Sequence, residues 1–198
     1  RDRSPSRGLG DVYKRQKVAF AFILSMPGAP FIYYGDEIGM RYVEGLKSVE
    51  GGYNRTGSRS PMQWDDSTNA GFSSAPASDL YIAMDPDKDR PTAKKEMAAP
   101  DSLYHEVKKL IRIRQSHKAL QSRGKITFVY AEKNAYPLAY IREDGDEKIL
   151  VIINAAAEAK TFACDAEPKE AIYNFGAAAE AKNGKITVPA QSAGFYRI

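Results

Sequence analysis

The apolar residues follow two different patterns in the two halves of the chain. Residues Lys17 to Met26 are apolar on nearly every helical face and end at Pro27-Gly28, which predicts the last turns of a buried helix. Residues Phe31 to Tyr34 are aromatic or β-branched and lie between a proline and a glycine, which predicts a short strand. A helix, a tight turn and a fully apolar strand are typical of a parallel α/β sheet.

Residues 41–100 show no regular period and are rich in Gly, Ser, Asn, Asp and Pro. A loop of this length inside a domain is usually functional or disordered. This one contains Pro61–Trp64 and Asn69–Phe72, whose large side chains a disordered linker would lack. We therefore predict that residues 41–100 form a long, ordered loop.

A second helix is predicted after this loop, with Asp101 as its N-terminal cap. The basic residues between Lys108 and Arg114 are expected to form its solvent-exposed face. Its apolar positions keep approximately the helical period of 3.6 residues, and they are Leu103, Val107, Leu110, Ile111 and Leu120.

Beyond Gly124 the pattern becomes that of short strands separated by turns. Asp144-Gly145 and Asn183-Gly184 are typical of hairpin turns, and their spacing predicts a small antiparallel β-sandwich. The domain boundary is predicted between Gln121 and Gly124. The predicted strands are Ile126–Tyr130, Leu138–Ile141 and Ile149–Ile153, and the predicted core is Phe128, Tyr140, Leu150, Ile152 and Phe195.

Charge and composition argue against several classes of function for this chain. Residues 1–16 differ abruptly from the rest and are interpreted as a non-native tail, such as a translated cloning scar. They carry a net charge of +3 out of +4 for the whole chain, so the remainder is close to neutral and no nucleic-acid partner is predicted. No apolar run is long enough to span a bilayer. The single Cys164 excludes an intrachain disulfide, and we predict no cofactor and no metal site.

Two long motifs resemble the α-amylase superfamily, glycoside hydrolase family 13. Gly28–Met40 matches the eighth-strand pattern Gly-x-Pro-x-Ile-x-x-Gly-x-Glu at every specified position. Arg59–Asp65 is similar to the Arg-Thr-Pro-Met-Gln-Trp-Asp motif of oligo-1,6-glucosidases, α-glucosidases and trehalose synthases, with serine in place of the usual threonine. Asn69–Phe72, Asp101–Leu103 and Lys109–Arg114 extend the likeness.

The resemblance implies α/β plus all-β architecture: the C-terminal piece of a (β/α)8 TIM barrel, followed by the sandwich. Residues 17–123 would supply strand eight, its long loop and helix eight, and residues 124–198 the sandwich. Active sites of such barrels lie at the C-terminal ends of the strands. With both neighbours of strand eight absent, we expect Phe31–Tyr34 and Val18–Met26 to form an exposed apolar edge and residues 17–100 to be mobile or self-associating.

The resemblance also implies that the catalytic carboxylates precede Lys17. A retaining glycosidase needs two carboxyl groups about 5–5.5 Å apart across the scissile bond. Asp36 and Glu37 are sequence neighbours whose side chains diverge, and Asp65 and Asp66 are expected to be solvated turn residues. We therefore assign no catalytic residue in this chain.

Three residues are assigned to substrate binding: Arg59, Tyr34 and Trp64. Arg59 could donate paired hydrogen bonds to sugar hydroxyls or to a catalytic carboxylate, or it could hold the loop through backbone carbonyls. Tyr33 and Tyr34 should point to opposite sides of the strand. Trp64 could stack on a sugar ring or pin the loop as a hydrophobic anchor. The structural residues of the motif are Gly28, Pro30, Gly35 and Glu37, and Glu37 is expected to accept hydrogen bonds from loop amides.

Three functions remain open at this point. The first is the end of an α-glucosidase-type hydrolase acting on oligosaccharides, with α-1,4 hydrolysis, α-1,6 hydrolysis and maltose isomerisation undistinguished. The second is a carbohydrate-binding or scaffold module without activity. The third is a non-catalytic relative such as the heavy subunit of amino-acid transporters. This branch of the family favours a cytoplasmic bacterial enzyme.

Overall fold

The computed structural model describes residues 9–198, with side chains from residue 12 onward. The chain divides into two units, one formed by the residues up to Phe31 together with Val107–Ile198, the other by Ile32–Glu106. The helices are α1 (Leu9–Ser25), α2 (Ala93–Ala98) and α3 (Leu103–Ser116). The strands are β1 (Lys125–Tyr130), β2 (Leu138–Asp144), β3 (Glu147–Asn154), β4 (Lys160–Ala163), β5 (Ala171–Phe175), β6 (Glu180–Lys182), β7 (Lys185–Val188) and β8 (Ser192–Arg197).

Helix α1 starts earlier than its apolar pattern predicted. It begins at Leu9 rather than near Lys17, so half of the predicted tail is helical. Arg, Lys and Gln are good helix formers, and no proline lies between Leu9 and Lys17, so nothing in the sequence stops the helix at the predicted boundary. Residues 1–8 lie outside the described residues, and the origin of the tail stays a prediction.

The predicted strand Phe31–Tyr34 is wrong. The segment leads into a turn at Tyr34-Gly35 and pairs with no strand among residues 9–198. A strand is stable only when its backbone groups are paired, and local apolar character does not supply a partner. Phe31 is accordingly 92% exposed.

The expectation that the first helix exposes its apolar side chains is also wrong. Val18, Ala21 and Leu24 are at most 2% exposed. Helix α1 contacts β3 and β8 of its own unit. Its last residue, Ser25, forms a buried 2.7 Å hydrogen bond with the hydroxyl of Tyr140 on β2. The antiparallel part of the chain therefore provides the surface that buries α1. Whether residues 17–100 are mobile or self-associate stays a prediction.

Two antiparallel sheets form the second half of the chain, with strand orders β1-β2-β3-β8-β5 and β4-β7-β6. Both predicted hairpins are confirmed. Asp144 pairs with Glu147 across a two-residue turn, and Lys182 pairs with Lys185 across Asn183-Gly184. Asn183 and Gly184 have φ angles of 51° and 70°, the left-handed conformation that an Asn-Gly hairpin turn requires.

One hydrophobic cluster receives side chains from both sheets: Ala139, Leu150, Ile152 and Tyr196 from the larger sheet, Phe162, Ile186 and Val188 from the smaller, and the adjoining Cys164. Four predicted core residues, Tyr140, Leu150, Ile152 and Phe195, are at most 1% exposed. Phe128 is 53% exposed, because β1 is an edge strand, and its ring instead packs edge-on against Tyr140. Its place in the predicted core is therefore wrong.

Strand β1 begins at Lys125, directly after the predicted boundary at 121–124. The two units nevertheless divide within α3, at Glu106/Val107. In this chain α1 and most of α3 belong to the unit that contains the sheets. The division into residues 17–123 and 124–198 stays a prediction about the longer parent.

The cap of α3 is Ser102 and not Asp101. The Ser102 hydroxyl accepts a 3.3 Å hydrogen bond from the His105 amide, three residues along, which satisfies one of the free amides of the first turn. Leu103, Val107 and Leu110 form the predicted buried face. Leu120 is buried in a separate 3-10 turn after the helix has ended.

The prediction that all basic residues of α3 face solvent is wrong for Arg114. It is only 9% exposed, and its guanidinium donates to the carbonyls of Leu24, Met26 and Gly28 at 2.8, 2.7 and 2.6 Å. These carbonyls lie in and just after the last turn of α1, where helical partners end. Arg114 thus caps α1 from a distant part of the sequence. Gly28, with φ of 83°, lets the chain turn away after the helix.

The unit Ile32–Glu106 is held mainly by loop contacts. Asp85, which is 2% exposed, accepts hydrogen bonds from Arg41 at 2.9 and 2.7 Å, and Arg41 also pairs with Asp87 at 2.6 Å. The side chain of Gln63, 1% exposed, donates to the Pro91 carbonyl at 2.7 Å. These contacts join positions far apart in the loop and account for its ordered path.

Candidate functional site

A cleft of about 410 Å³ opens in the unit Ile32–Glu106. It contains all three residues assigned to substrate binding, Tyr34, Arg59 and Trp64, together with Glu37. Its other lining residues are Pro61, Met62, Phe72, Tyr81 and Ile82. Two motifs separated by eighteen residues of irregular chain, residues 41–58, therefore meet at one surface.

Tyr34 is oriented by its hydroxyl, which donates a 3.0 Å hydrogen bond to the Ser60 carbonyl beside Arg59. Burial is the largest influence on its hydroxyl and raises its pKa, a hydrogen bond with Tyr33 acts in the same direction, and the positive charge of Arg59 opposes both. Tyr34 therefore stays a neutral hydroxyl at physiological pH. It can both donate and accept hydrogen bonds.

Tyr33 and Tyr34 do not point to opposite sides as predicted. Their ring centroids are 4.6 Å apart with the planes inclined by 38°, and the two residues are 49% and 42% exposed. The alternation rule holds for a strand, and here the backbone turns at Tyr34-Gly35 instead.

Glu37 accepts a 2.9 Å hydrogen bond from the Gly35 amide, which agrees with its predicted structural role. It is half-buried, so its carboxylate also borders the cleft. Gly35 has φ of 88°, and a Cβ at this position would lie 2.4 Å from the sulfur of Met40. The turn that places Tyr34 and Glu37 therefore requires glycine.

Arg59 is exposed, and its guanidinium makes no hydrogen bond or ion pair with any residue from 9 to 198. A loop-stapling role would require carbonyl partners, and the described part of the chain supplies none. Five N–H donors are thus presented to the cleft, in the planar arrangement that suits paired hydroxyls or a carboxylate.

Trp64 is 52% exposed, so the hypothesis that it is a buried anchor is wrong. The loop is anchored by its neighbours, since Met62 and Gln63 are 8% and 1% exposed. The Trp64 backbone is held on both sides, with its amide donating to Ala70 O at 2.8 Å and its carbonyl accepting from Lys94 N at 2.9 Å. The Trp64 backbone is therefore held in place, while its indole ring remains exposed to solvent.

Phe72, Tyr81 and Ile82 were missed as cleft residues. Phe72 belongs to the Asn-Ala-Gly-Phe motif and could have been proposed from it. Tyr81 and Ile82 carry no sequence signal, because they lie in irregular chain where no period assigns a side chain to a face. Gly28 and Pro30 belong to the other unit and do not line this cleft.

The other acidic candidates act as loop residues. Asp36 accepts from the Tyr33 amide at 3.1 Å, and Asp66 pairs with Lys95 at 2.8 Å. Asp65 accepts from the side chain and backbone of Ser67, and these hydrogen bonds lower its pKa. Glu37 alone contributes a carboxylate to the cleft lining, so these residues do not form the opposed pair of a retaining glycosidase.

A family profile described as the catalytic domain of α-amylase matches residues 1–123. The chain belongs to the α-amylase family. Its fold is that of this family, with antiparallel sheets and few helices. In the described part, no helix has the length and apolarity needed to cross a membrane, and no three His, Cys, Asp or Glu residues are grouped to hold a metal ion.

Curated relatives of this α-amylase family chain include glucosidases and a synthase. A glucan 1,6-alpha-glucosidase of Streptococcus pneumoniae is 30% identical over a match that covers 86% of this chain and 36% of the relative. A trehalose synthase of Thermus thermophilus is 32% identical, with 78% of this chain and 16% of the relative covered.

Among solved structures, the trehalulose synthase MutB from Pseudomonas mesoacidophila MX-45 matches with a TM-score of 0.78 and 26% identity. That match covers 93% of this chain and 38% of the other. The chain therefore spans well under half the length of the relatives that it matches.

Proposed function

We propose that this chain is the C-terminal part of a retaining glycoside hydrolase acting on α-glucosidic bonds of malto- or isomalto-oligosaccharides. In this proposal residues 17–123 complete a (β/α)8 barrel and residues 124–198 form the β-sandwich that follows it. The relatives named as glucosidases support the substrate class. The observation that carries the proposal is the convergence of Tyr34, Arg59 and Trp64 on one cleft.

Each of these side chains has a distinct role in the proposal. Arg59, without a protein partner among the described residues, binds sugar hydroxyls through paired N–H donors. Tyr34 keeps a neutral hydroxyl beside it for a further hydrogen bond. Trp64 offers an exposed aromatic face. The nucleophile and the general acid/base belong to other segments of the parent, and a cytoplasmic location stays a prediction from this branch of the family.

We expect the purified 198-residue chain not to hydrolyse maltose, isomaltose or aryl α-glucosides. A single cleft carboxylate, Glu37, cannot serve as both nucleophile and proton donor. Release of glucose or aryl alcohol should equal that in buffer. Turnover above buffer that disappears in Glu37→Gln would contradict the proposal, because it would place catalysis in this chain.

We expect Arg59→Ala to weaken binding of maltotriose or isomaltotriose about 10-fold or more, through loss of a charge-assisted hydrogen bond of about 1.5–3 kcal/mol. Trp64 is the only tryptophan, so its emission reports on this cleft without labelling. Arg55→Ala is the matched control, since Arg55 is also exposed but stacks on Tyr53 outside the cleft. Unchanged affinity with a lower melting temperature would show that Arg59 supports the loop instead.

The non-catalytic alternative makes a different prediction for the parent gene. A binding or scaffold module would lack the catalytic carboxylates in the preceding sequence, and an α-glucosidase or a trehalose synthase-type isomerase would contain them. Sequencing a longer read of the gene distinguishes these cases without an assay.

A further inference from the structure

Gln63 is a buried polar residue in the segment that carries two of the substrate-binding candidates, Arg59 and Trp64. Four of the six residues 59–64 line the cleft, whereas Ser60 and Gln63 are 2% and 1% exposed and do not line it. A fully buried glutamine is uncommon, because its amide loses water and must find partners inside the protein. The partners of this amide therefore indicate what Gln63 does.

Only one half of the Gln63 amide is paired. Its Nε2 donates a 2.7 Å hydrogen bond to the Pro91 carbonyl, which lies 28 residues further along the chain. Its Oε1 is buried and accepts no hydrogen bond from any residue in the part of the chain that the structure describes. A buried acceptor without a donor reduces the stability that the amide contributes. A gain in stability alone therefore does not account for a glutamine here.

The Pro91 carbonyl is an acceptor whose position is fixed. Arg90, the residue before it, donates from one nitrogen to two carbonyls of the preceding turn, at 3.2 Å each. Thr92, the residue after it, is fully buried, and its hydroxyl caps α2 by accepting an amide of the first turn at 3.2 Å. The proline ring also restricts the backbone between them. The hydrogen bond from Gln63 thus joins its segment to a point that is held on both sides.

Backbone hydrogen bonds extend the same contact to Trp64. The Ala93 amide donates to Gln63 O at 2.8 Å, and the Lys94 amide donates to Trp64 O at 2.9 Å. Three hydrogen bonds therefore join residues 63–64 to residues 91–94. The bond from the Gln63 side chain is the one of the three that a substitution can remove.

The binding candidates on this segment depend on their backbone for orientation. Neither the Arg59 guanidinium nor the Trp64 indole makes a hydrogen bond with a described residue, and both residues are exposed. A hydrogen bond weakens steeply when its donor and acceptor are misaligned. Binding residues therefore require a supporting set of contacts that fixes the segment beneath them.

We propose that Gln63 is a positioning residue for the cleft. Its amide, bound to the Pro91 carbonyl, orients the segment Arg59–Trp64 for binding an oligosaccharide. Because Gln63 does not line the cleft, it acts through Arg59 and Trp64 and not by contact with the ligand. This role rests on the proposed function, since it assumes that the cleft binds sugar.

Gln63→Met tests the role, because methionine is close to glutamine in length and volume but cannot donate to the Pro91 carbonyl. Affinities for maltotriose and isomaltotriose are measured by calorimetry on the 198-residue chain, well below its melting temperature. We expect Gln63→Met to bind both sugars about 3- to 10-fold more weakly, because the binding groups are less well preorganised. A purely structural contact would lower the melting temperature without changing the affinity of the folded chain.

Thr92→Val is the matched control for stability. It removes the hydroxyl that caps α2 from the same buried stretch but leaves the Gln63 amide and the Pro91 carbonyl in place. We expect a lower melting temperature and affinities within about 2-fold of wild type. Gln115→Met, at an exposed glutamine of α3, should change neither quantity.

Trp64 provides a second measurement that needs no ligand. It is the only tryptophan, so the time-resolved anisotropy of its emission measures the local motion of its indole ring. Gln63→Met should increase the amplitude of the fast indole motion. Thr92→Val should leave that amplitude at the wild-type value.

The outcomes distinguish this role from the proposed function. If the wild-type chain binds neither trisaccharide, the proposed function fails, and the positioning role fails with it. If the wild-type chain binds but Gln63→Met loses no more affinity than Thr92→Val, the function stands and the positioning role of Gln63 is overturned. Weaker binding and faster indole motion in Gln63→Met, without either change in Thr92→Val, support both.

Discussion

Replacing Arg142 by alanine is expected to lower the free energy of unfolding of the sheet-containing unit by about 3–5 kcal/mol. Arg142 lies on β2 and is fully buried, although arginine is among the residues least often found inside proteins. Burial lowers its pKa to about 10, and the nearby charge of Arg114 acts in the same direction. The guanidinium therefore remains charged at neutral pH.

The stabilisation comes from the backbone carbonyls to which the guanidinium donates, of which Gln121 O also accepts the Gly124 amide at 3.2 Å. The guanidinium donates to the Ser25 carbonyl at the end of α1. It also donates to Leu120 O, Gln121 O, Gly124 O and Lys125 O, at 3.4, 2.7, 3.1 and 3.4 Å. Each buried carbonyl left unpaired costs about 1–3 kcal/mol, and the avoided desolvation of the cation offsets only part of the total.

Chemical denaturation followed by far-ultraviolet circular dichroism measures this effect, since the sheets lie in this unit. Arg142→Lys should recover a fraction of the loss, because an ammonium has only three donors on a single atom. Arg123→Ala, at an exposed arginine nearby in the sequence, should stay within about 0.5 kcal/mol of wild type. A wild-type midpoint for Arg142→Ala would show that water satisfies these carbonyls.

The buried arginines show which part of the fold could not be predicted from sequence. On β2, Arg142 belongs to Arg-Glu-Asp, which looks like an exposed strand end, and on α3 Arg114 follows other basic residues. Their partners lie about ninety residues away for Arg114 and up to 117 for Arg142. The hairpins, in contrast, were predictable because turn conformation depends on two adjacent residues such as Asn183-Gly184.

The candidate site also has features that could be predicted from the sequence and features that could not. Motif likeness alone pointed to Tyr34, Arg59 and Trp64, and the structure places them around one cleft. Motif likeness could not reveal that Trp64 is exposed or that Tyr81 lines the same cleft. Both facts depend on the path that an irregular loop takes in the folded chain. The strand predicted at Phe31–Tyr34 was wrong since strand formation depends on partners that a local pattern does not contain.

Asp85→Asn is expected to lower the stability of the unit Ile32–Glu106 by about 2–3 kcal/mol at neutral pH, the range for hydrogen bonds to a charged group. The Asp85 carboxylate is 2% exposed and accepts from Arg41 twice and from the Asp87 amide at 2.9 Å. Burial by itself raises the pKa of Asp85, but the hydrogen bonds and charge of Arg41 outweigh it and hold the pKa below its usual value.

This depressed pKa gives the effect a defined pH dependence. A carboxyl whose pKa is lower in the folded state binds fewer protons there than in the unfolded chain, where its pKa is about 3.9. Its stabilisation is fully present well above pH 4 and is lost as the pH falls through the folded-state value. The difference between wild type and Asp85→Asn should therefore be constant near pH 7 and shrink below about pH 4.

Trp64 emission during urea unfolding reports on this unit, because the only tryptophan lies within it. Asp89→Asn is the control, since Asp89 is exposed in the same Asp-Pro-Asp-Lys-Asp segment and its side chain has no described partner. A difference that grows on acidification would contradict the argument, because it would mean that protonated Asp85 stabilises the fold more than the ion pair with Arg41 does. A stability difference of the predicted size would identify the Arg41–Asp85 ion pair as one of the main interactions that stabilise the loops of the cleft.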